Sequence, residues 1–296
     1  IPLLILWFIS PLVAWWLSRT IEAPPVRLSE AQHVFLHKLA RRTWRYFEVF
    51  VTDEENWLPP DNYQEKPVHG VAPRTSPTNI GMALRADLAA CDFGYCSVGR
   101  LVDRIRKTLG TLARMDRYRG HFYNWYDTRS LKPLMPLYVS TVDSGNLVGS
   151  LLVLRAGLLE LIETKIFPAA ILGGLGDTAR VLLDVARGLH QAEGEQSPGT
   201  IRGPLVPADV LRKIERLEEF MASRPAKLNA LEESWRRLAA AAAEITAAAG
   251  TDPELMWWAA AFERSCIDQR DDLLHVAPWV GLPAPPEQLQ RHIALR

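Results

Sequence analysis

The chain contains 296 residues, in which 34 Lys and Arg balance 34 Asp and Glu, and 48% of the residues are hydrophobic. This composition is sufficient to bury one large core or two ordinary ones. The neutral balance, without a basic stripe, argues against nucleic acid as a partner, because neutralisation of phosphates supplies most of the affinity in such complexes.

The three cysteines, Cys91, Cys96 and Cys266, form neither a C-x-x-C pair nor an even set. Disulfide frameworks and structural metal sites generally show such patterns. We therefore predict free, buried thiols in a reducing compartment and no metal site.

The first 18 residues carry no charged side chain. They reach the lower limit of length for a membrane span, and Trp15 and Trp16 stand where an interfacial aromatic belt would lie. We predict a transmembrane segment over residues 1–20, with a buried core helix as the alternative. A signal peptide is not favoured, because a basic start and a small-residue cleavage site are not visible.

Two basic residues, Arg19 and Arg27, follow this apolar segment. By the positive-inside rule they favour a cytoplasmic location for the part that comes after it. Because the chain begins at Ile1 rather than at a methionine, we also predict that it is a piece of a longer protein.

A capping box made by Ser29 and Gln32 opens an apolar pattern of helical period. This pattern predicts a first helix over residues 29–51. Residues 53–75 are rich in Pro, Asn and Asp and have no period, which predicts a long loop.

A second helix is predicted to begin at the N-cap Ser76, with Pro77 at its first position, and to end at Gly94. A short link leads to Ser97 and to a third helix, which we expect to end at Gly120.

The second long connection, residues 120–146, precedes a fourth helix with a dense apolar run. We predict Asp143 or Ser144 as the N-cap of that helix. Short and long connections alternate, so both long loops should lie at the same end of antiparallel helical hairpins. The pattern favours an all-α fold, with two hairpins of a partial (α/α)6 toroid.

The rest of the chain has a different helical character. A Gly-containing stretch at 172–176, a helix near 177–189 and a polar linker at 191–204 are expected. Charged amphipathic helices follow, and we predict them over 207–221, 226–249 and 253–274. They are interpreted as a helical arm extending from the toroid, without an apolar stripe wide enough for a large core.

The two long loops are unusually aromatic. A pyranose ring offers C–H faces for stacking and hydroxyls for polar side chains, so such loops suit a glycan. The alternative is that some of these residues only fix the loops to the helices. The residues concerned are Trp57, Tyr63, His121, Phe122, Tyr123, Trp125, Tyr126 and Tyr138.

Two aspartates of the second loop, Asp127 and Asp143, are weak catalytic candidates, because glycosidic cleavage generally uses a pair of carboxyl groups. Asp127 in YDTRS could instead organise a turn, and Asp143 could only cap a helix. For Arg74 and Thr75, sugar contact and loop anchoring are both open.

Two strings are long and specific: RTSPTNIGMALRADLAACDFGY from Arg74, and RYRGHFYNWYDTRSLKPLMPLYVSTVDSGNLVGSLL from Arg117. They closely resemble the middle domain of bacterial cyclic β-1,2-glucan synthases, and the resemblance covers about residues 1–165. Members of that family are very large inner-membrane proteins. They have an N-terminal glycosyltransferase region that uses UDP-glucose, a glucoamylase-like middle domain and a C-terminal phosphorylase-like region.

The resemblance implies a membrane segment at 1–20, the first hairpins of a glucoamylase-like (α/α)6 domain at 26–165 and a helical extension of that domain at 166–296. It implies a β-1,2-glucan chain, the inner membrane and the neighbouring regions of the parent protein as partners. No cofactor is expected in this segment, and UDP-glucose would be the donor for the glycosyltransferase region of the parent.

The resemblance also implies that residues 74–79 and 120–146 help to form sugar subsites. The acidic residues that do the family's chemistry lie in later motifs, which this chain lacks, so the catalytic residues stay unknown. The substrate-binding candidates are Arg74, Thr75, Asn79, His121, Tyr123, Asn124, Trp125, Tyr126, Asp127, Asp143 and Asn146.

Three hypotheses follow for function. The first is a fragment of a transglycosylase that closes β-1,2-glucan into a ring by a retaining, double-displacement mechanism, the fragment alone being inactive. The second is a non-catalytic module that holds a glycan for its neighbours. The third is a part of a β-glucan hydrolase.

Overall fold

A computed structural model describes residues 2–19, 27–165, 170–194, 208–222, 228–248 and 252–281. The chain divides into two compact units, residues 1–35 and residues 36–296. Helices dominate the described residues, which confirms the all-α fold class, whereas the toroid stays a prediction. The helices are α1 (Pro2–Leu17), α2 (Glu30–Phe50), α3 (Pro77–Asp92), α4 (Val98–Arg114), α5 (Thr141–Glu163), α6 (Ala170–Gly194), α7 (Ala208–Ala222), α8 (Leu228–Ala248) and α9 (Pro253–Val276).

Three short antiparallel strand pairs lie in the two long loops. The strands are β1 (Tyr63–Gln64), β2 (Gly70–Val71), β3 (Arg74–Thr75), β4 (Arg117–Tyr118), β5 (His121–Phe122) and β6 (Tyr126–Asp127). β1 pairs with β2, β3 with β6 and β4 with β5.

The first unit contains α1, an apolar helix of 16 residues that coincides with the predicted membrane segment and has no buried residue. Within the described part of the chain, one helix has both the length and the apolar composition of a span, and it is α5 rather than α1. Helix α5 packs along α3, but only Leu147, Ser150 and Leu154 of this helix are buried, and large apolar side chains such as Leu152 and Ile162 are exposed.

The predicted helix starts are largely confirmed by their caps. Ser29 N–H donates to Gln32 Oε1 (2.8 Å) and Gln32 N–H donates to Ser29 Oγ (3.3 Å), which is the predicted capping box. Ser76 Oγ accepts from the N–H of Asn79, and Ser97 Oγ accepts from the N–H of Arg100.

Two predicted helix boundaries are wrong. The N-cap of α5 is Ser140, whose Oγ accepts from the N–H of Asp143, so Asp143 lies inside the first turn. Helix α4 ends at Arg114 rather than at Gly120. The residues after it form the β4–β5 hairpin, and Gly120 supplies its turn with φ of +87°.

Helices α2 to α5 and their loops share one hydrophobic core, which includes Trp44, Leu84, Leu101 and Leu154. Two cysteines, Cys91 and Cys96, belong to this core as free thiols, and Cys266 is also free and buried, as predicted. Burial raises the pKa of the Cys91 thiol to about 11.

The second core was not predicted. Helices α6 to α9 enclose a large hydrophobic cluster that includes the fully buried Trp235, Trp258 and Phe262. Each helix has only a narrow apolar seam, such as the one spaced by three and four residues in α8, but several seams facing one another fill a core. The expectation of an arm without a large core is therefore wrong.

Helix α9 also packs against the first hairpins. It contacts α4, where the N–H of Gly99 donates to Asp272 Oδ2 (2.7 Å), and Arg45 of α2 pairs with Glu254 (2.5 Å). The last helices thus lie on the same unit as the loops.

The predicted glycine stretch at 172–176 is part of α6, and residues 191–194 continue that helix. The rest of the predicted linker lies outside the described residues. Gly174 allows α6 to approach the turn after α3, because a Cβ there would stand 2.4 Å from the carbonyl carbon of Gly94.

We expect Gly174→Ala to lower the free energy of unfolding by about 1 to 3 kcal/mol, because backbone atoms must move to admit the methyl group. Gly173→Ala is the matched control, since its Cβ would meet nothing within 4 Å. That change should stabilise the chain by up to about 1 kcal/mol through helix propensity. Denaturant unfolding of both variants measures the difference, and equal effects would contradict the close approach.

Candidate functional site

The two long loops lie against each other, as the alternation of connections predicts. Strands β3 and β6 pair Arg74 with Asp127 and Thr75 with Tyr126. The amide of Asn56 donates to two carbonyls of the second loop, each at 2.9 Å. Loop residues from before α3 and before α5 therefore form one surface.

The buried carboxylate of Glu55 holds the two long loops together. Glu55 is 5% exposed, and it accepts from Arg129 Nε (3.0 Å) and from the hydroxyl of Thr128, which is fully buried. These contacts join residues more than seventy positions apart, so they anchor the second loop to the first.

One half of the exposed surface centres on Asp61. Its carboxylate accepts from Arg74 Nε (3.1 Å) and Nη2 (2.9 Å) and from the amide of Asn79 (3.3 Å). The guanidinium of Arg74 also lies over the indole of Trp125, 5.0 Å from the ring centroid. One cation thus joins a carboxylate to an aromatic face.

The other half centres on Asp143 in the first turn of α5. Thr78 Oγ1 donates to Asp143 Oδ1 (2.6 Å) and accepts from the amide of Asn146 (3.0 Å). The Asn124 amide, oriented to satisfy its neighbours, donates to Asp143 Oδ2 (2.8 Å). Its oxygen accepts from Trp125 Nε1 (2.9 Å).

These two halves are continuous through Trp125 and through the first turn of α3. We call the set the polar cluster. It comprises Asp61, Arg74, Thr78, Asn79, Asn124, Trp125, Asp143 and Asn146.

The polar cluster combines hydrogen-bonding groups with an aromatic surface. It places amides, a guanidinium and carboxylates next to one half-buried indole, which is the combination that hydroxyl-rich ligands require. Across the described residues, no group of three or more His, Cys, Asp or Glu side chains could hold a metal ion.

Several residues that the sequence predicts as sugar contacts lie outside the polar cluster. Tyr126 and Thr75 have no exposed surface, and the hydroxyl of Tyr126 donates to the carbonyl of Asp116 (2.6 Å). These two side chains are packed inside the protein, and we correct their interpretation as sugar contacts accordingly. Tyr123 packs against the core, while His121 is exposed in the β4–β5 hairpin.

Trp57 and Tyr63 act as loop anchors. Lys107 Nζ lies 4.1 Å from the Trp57 ring centroid, and the Trp57 carbonyl accepts from Thr108 of α4. The Tyr63 ring lies 4.9 Å from that of Phe50 at the end of α2. The alternative interpretation, in which such aromatics only fix the loops to the helices, therefore fits both Trp57 and Tyr63.

Asp127 organises a turn. Its Oδ1 accepts from the N–H of Ser130 (2.7 Å), the Oγ of Ser130 (2.8 Å) and the N–H of Arg129 (3.1 Å). Partial burial raises the pKa of this carboxyl, but the hydrogen bonds from Ser130 and Arg129 outweigh it and hold the pKa below its ordinary value.

This lowered pKa predicts a contribution to stability that is present above the unfolded pKa of about 3.9 and is lost as the pH falls through the folded value. We expect Asp127→Asn to lower stability near neutral pH and to make unfolding less dependent on pH below about 4. Urea titrations from pH 7 to pH 3 measure both effects. An unchanged pH dependence would contradict the role of the charge.

Sequence reasoning missed Asp61, which is central to the polar cluster, and included Thr78 only within the predicted subsite stretch 74–79 without naming it. Asp61 follows two prolines in a loop without a period, and Thr78 stands between Pro77 and Asn79 in a helix start. For Thr78, the available signal was its position beside a candidate residue and close to a predicted cap. No local pattern pointed to Asp61.

No family model matches the chain. The chain is 46% identical over 187 residues to the cyclic β-(1,2)-glucan synthase NdvB of Rhizobium meliloti (strain 1021). The alignment covers 62% of this chain and 6% of that protein. The predicted resemblance is thus confirmed, and the chain spans only a small part of the relative it matches.

Proposed function

We propose that this chain is part of a cyclic β-1,2-glucan synthase and that its polar cluster holds the glucan. The observation that carries the proposal is the 46% identity to a protein named for that product. An identity of this extent over 187 residues supports a common role for the matched region.

The polar cluster supports a glucan as the ligand. Hydroxyls of a sugar can both donate and accept, and the cluster offers Asn79, Asn146 and Arg74 as donors beside the carboxylates of Asp61 and Asp143. The indole of Trp125 adds an apolar face, part of which Arg74 already covers.

The cluster favours holding over chemistry. Each of its carboxylates is engaged with neighbouring donors: Asp61 with Arg74 and Asn79, and Asp143 with Thr78 and Asn124. In the parent protein, ring closure would proceed by retaining transglycosylation. UDP-glucose would be the donor for its glycosyltransferase region.

The parent protein would be bound to the bacterial inner membrane, with this segment on the cytoplasmic side. The apolar helix α1 and the basic residues Arg19 and Arg27 support that placement. The neighbouring glycosyltransferase and phosphorylase-like regions would then reach the same glucan chain.

The second candidate function is a non-catalytic module that only positions glucan ends. The engagement of both cluster carboxylates in hydrogen bonds favours it. The two candidates differ in their effect on the parent protein. A module that only holds glucan would influence the length of the product but leave the bond-forming step intact.

Titration of the full chain, kept in detergent because of α1, with linear β-1,2-glucan tests the proposal. We expect saturable binding without turnover, and weaker binding of linear β-1,3-glucan at equal chain length. Asp143→Ala should weaken binding, whereas Asp103→Ala, a change at a partly exposed position of α4 outside the polar cluster, should not. Absence of β-1,2-glucan binding, or equal binding by Asp143→Ala, would refute the assignment of the polar cluster.

A further inference from the structure

A cleft of about 310 Å³ lies between α2, α4 and α9, and it shares no lining residue with the polar cluster. Its walls are mainly polar, and three arginines, Arg100, Arg104 and Arg264, contribute to them. A volume of this size is at the lower end of the range of small-molecule sites.

Two of these arginines are available to a ligand. Arg100 and Arg264 are exposed, and in the described part of the chain neither forms an ion pair with a carboxylate. Arg104 is different, because its guanidinium donates to Asp87 (2.7 Å) and to the carbonyls of Val51 and Phe47. Arg104 is therefore a structural part of the cleft wall, and its donors are already used within the protein.

A buried indole in the wall of the cleft carries a further donor. Trp44 lines the cleft and is 5% exposed, yet its Nε1–H has no hydrogen-bond partner within the described residues. A buried donor without an acceptor is costly. Indole and guanidinium nitrogens donate only, so the three groups share a need for an acceptor.

Two acidic residues also line the cleft. Glu48 is already paired with Arg41 Nη1 (2.7 Å), which leaves Asp268 facing the two arginines. Burial raises the pKa of Asp268, Arg100 and Arg264 oppose that effect, and the nearby carboxylates of Asp272 and Asp271 add to it. A ligand oxyanion would therefore interact with the two guanidinium groups themselves rather than with an overall positive field.

We propose that this cleft binds a small oxyanion of the phosphate class, held by the guanidinium groups of Arg100 and Arg264 and by the indole N–H of Trp44. Phosphate oxygens accept several hydrogen bonds at once, and arginine presents paired donors that match their geometry. The ring of Trp257 also lines the cleft, and the guanidinium of Arg264 lies 5.7 Å from its centroid.

The phosphate could come from the free ion or from a phosphomonoester. Calorimetric titration of the full chain with inorganic phosphate and with glycerol 3-phosphate, at constant ionic strength, distinguishes these sources. Glycerol serves as the neutral control, and chloride as the simple anion. We expect saturable binding of at least one phosphate compound and none of glycerol or chloride.

Arg100→Gln and Arg264→Gln should each weaken this binding by about tenfold or more, the range expected for a charge-assisted hydrogen bond. Arg106→Gln is the matched control, since Arg106 stands on α4 in an exposed pair with Asp103, and it should bind normally. Trp44→Phe should keep the fold and weaken binding by several-fold.

The outcomes separate clearly, because Arg100 and Arg264 are exposed and their replacement should leave the circular dichroism spectrum unchanged. Loss in the cleft variants with normal binding by Arg106→Gln supports the proposal. Absence of phosphate binding by the unmodified chain, or an equal loss in Arg106→Gln, overturns it. Neither result bears on glucan binding, which depends on other residues.

Discussion

Replacing Arg104 by methionine is expected to lower the free energy of unfolding by about 3 to 5 kcal/mol, because Asp87 would lose its partner inside the core. The two side chains are 4% and 1% exposed, and Arg104 Nε lies 2.7 Å from Asp87 Oδ1. The change also removes donors from the carbonyls of Phe47 and Val51, where α2 ends and the first long loop begins. Urea unfolding of the full chain measures the loss.

Two controls define the origin of this loss. Arg106→Met removes an exposed ion pair on the same helix and should cost less than about 1 kcal/mol. The double change Asp87→Leu with Arg104→Met removes both charges and should recover part of the loss. If Arg104→Met costs no more than Arg106→Met, the buried pair does not contribute as described.

The second large effect concerns glucan affinity. We expect Trp125→Ala to weaken glucan binding by roughly three- to tenfold or more, since an aromatic contact is worth about 0.5 to 1.5 kcal/mol beyond its buried area. The loss also releases Arg74, which lies over the ring, and Asn124, which accepts from its N–H. Titration with linear β-1,2-glucan gives the affinity.

Trp125→Phe is the matched variant, because it keeps an aromatic face but loses the donor to Asn124. It should retain most of the affinity if stacking dominates. The unfolding midpoint of both variants should change little, since Trp125 is only half-buried, whereas a core Trp→Ala costs about 3 to 5 kcal/mol. Unchanged affinity with a large loss of stability would assign Trp125 to loop anchoring instead.

The sequence predicted the elements whose signals are local. The capping box at Ser29, the caps at Ser76 and Ser97 and the apolar period of α2 to α5 each depend on a few neighbouring residues. The placement of both long loops at one end followed from the order of connections alone. Such features are encoded within short stretches of the chain, and a pattern of neighbouring residues is enough to predict them.

The remaining features depend on pairs that are distant in the chain. Whether Tyr126 faces a ligand or the core is decided by its hydrogen bond to the Asp116 carbonyl and by the strand pairing with Thr75. The core of α6 to α9 arises only when several narrow seams meet. No pattern within one segment carries that information.

The interlocking of the two long loops has a consequence for the order of folding. The contacts of Glu55 with Thr128 and Arg129 span 73 and 74 residues, so they can form only after α3 and α5 have docked. Closure of such long segments is entropically unfavourable until the helices hold the ends together. The contacts that join the two long loops should therefore be among the last to form and the first to open in native-state hydrogen exchange, well before the interiors of α3 and α4 lose protection.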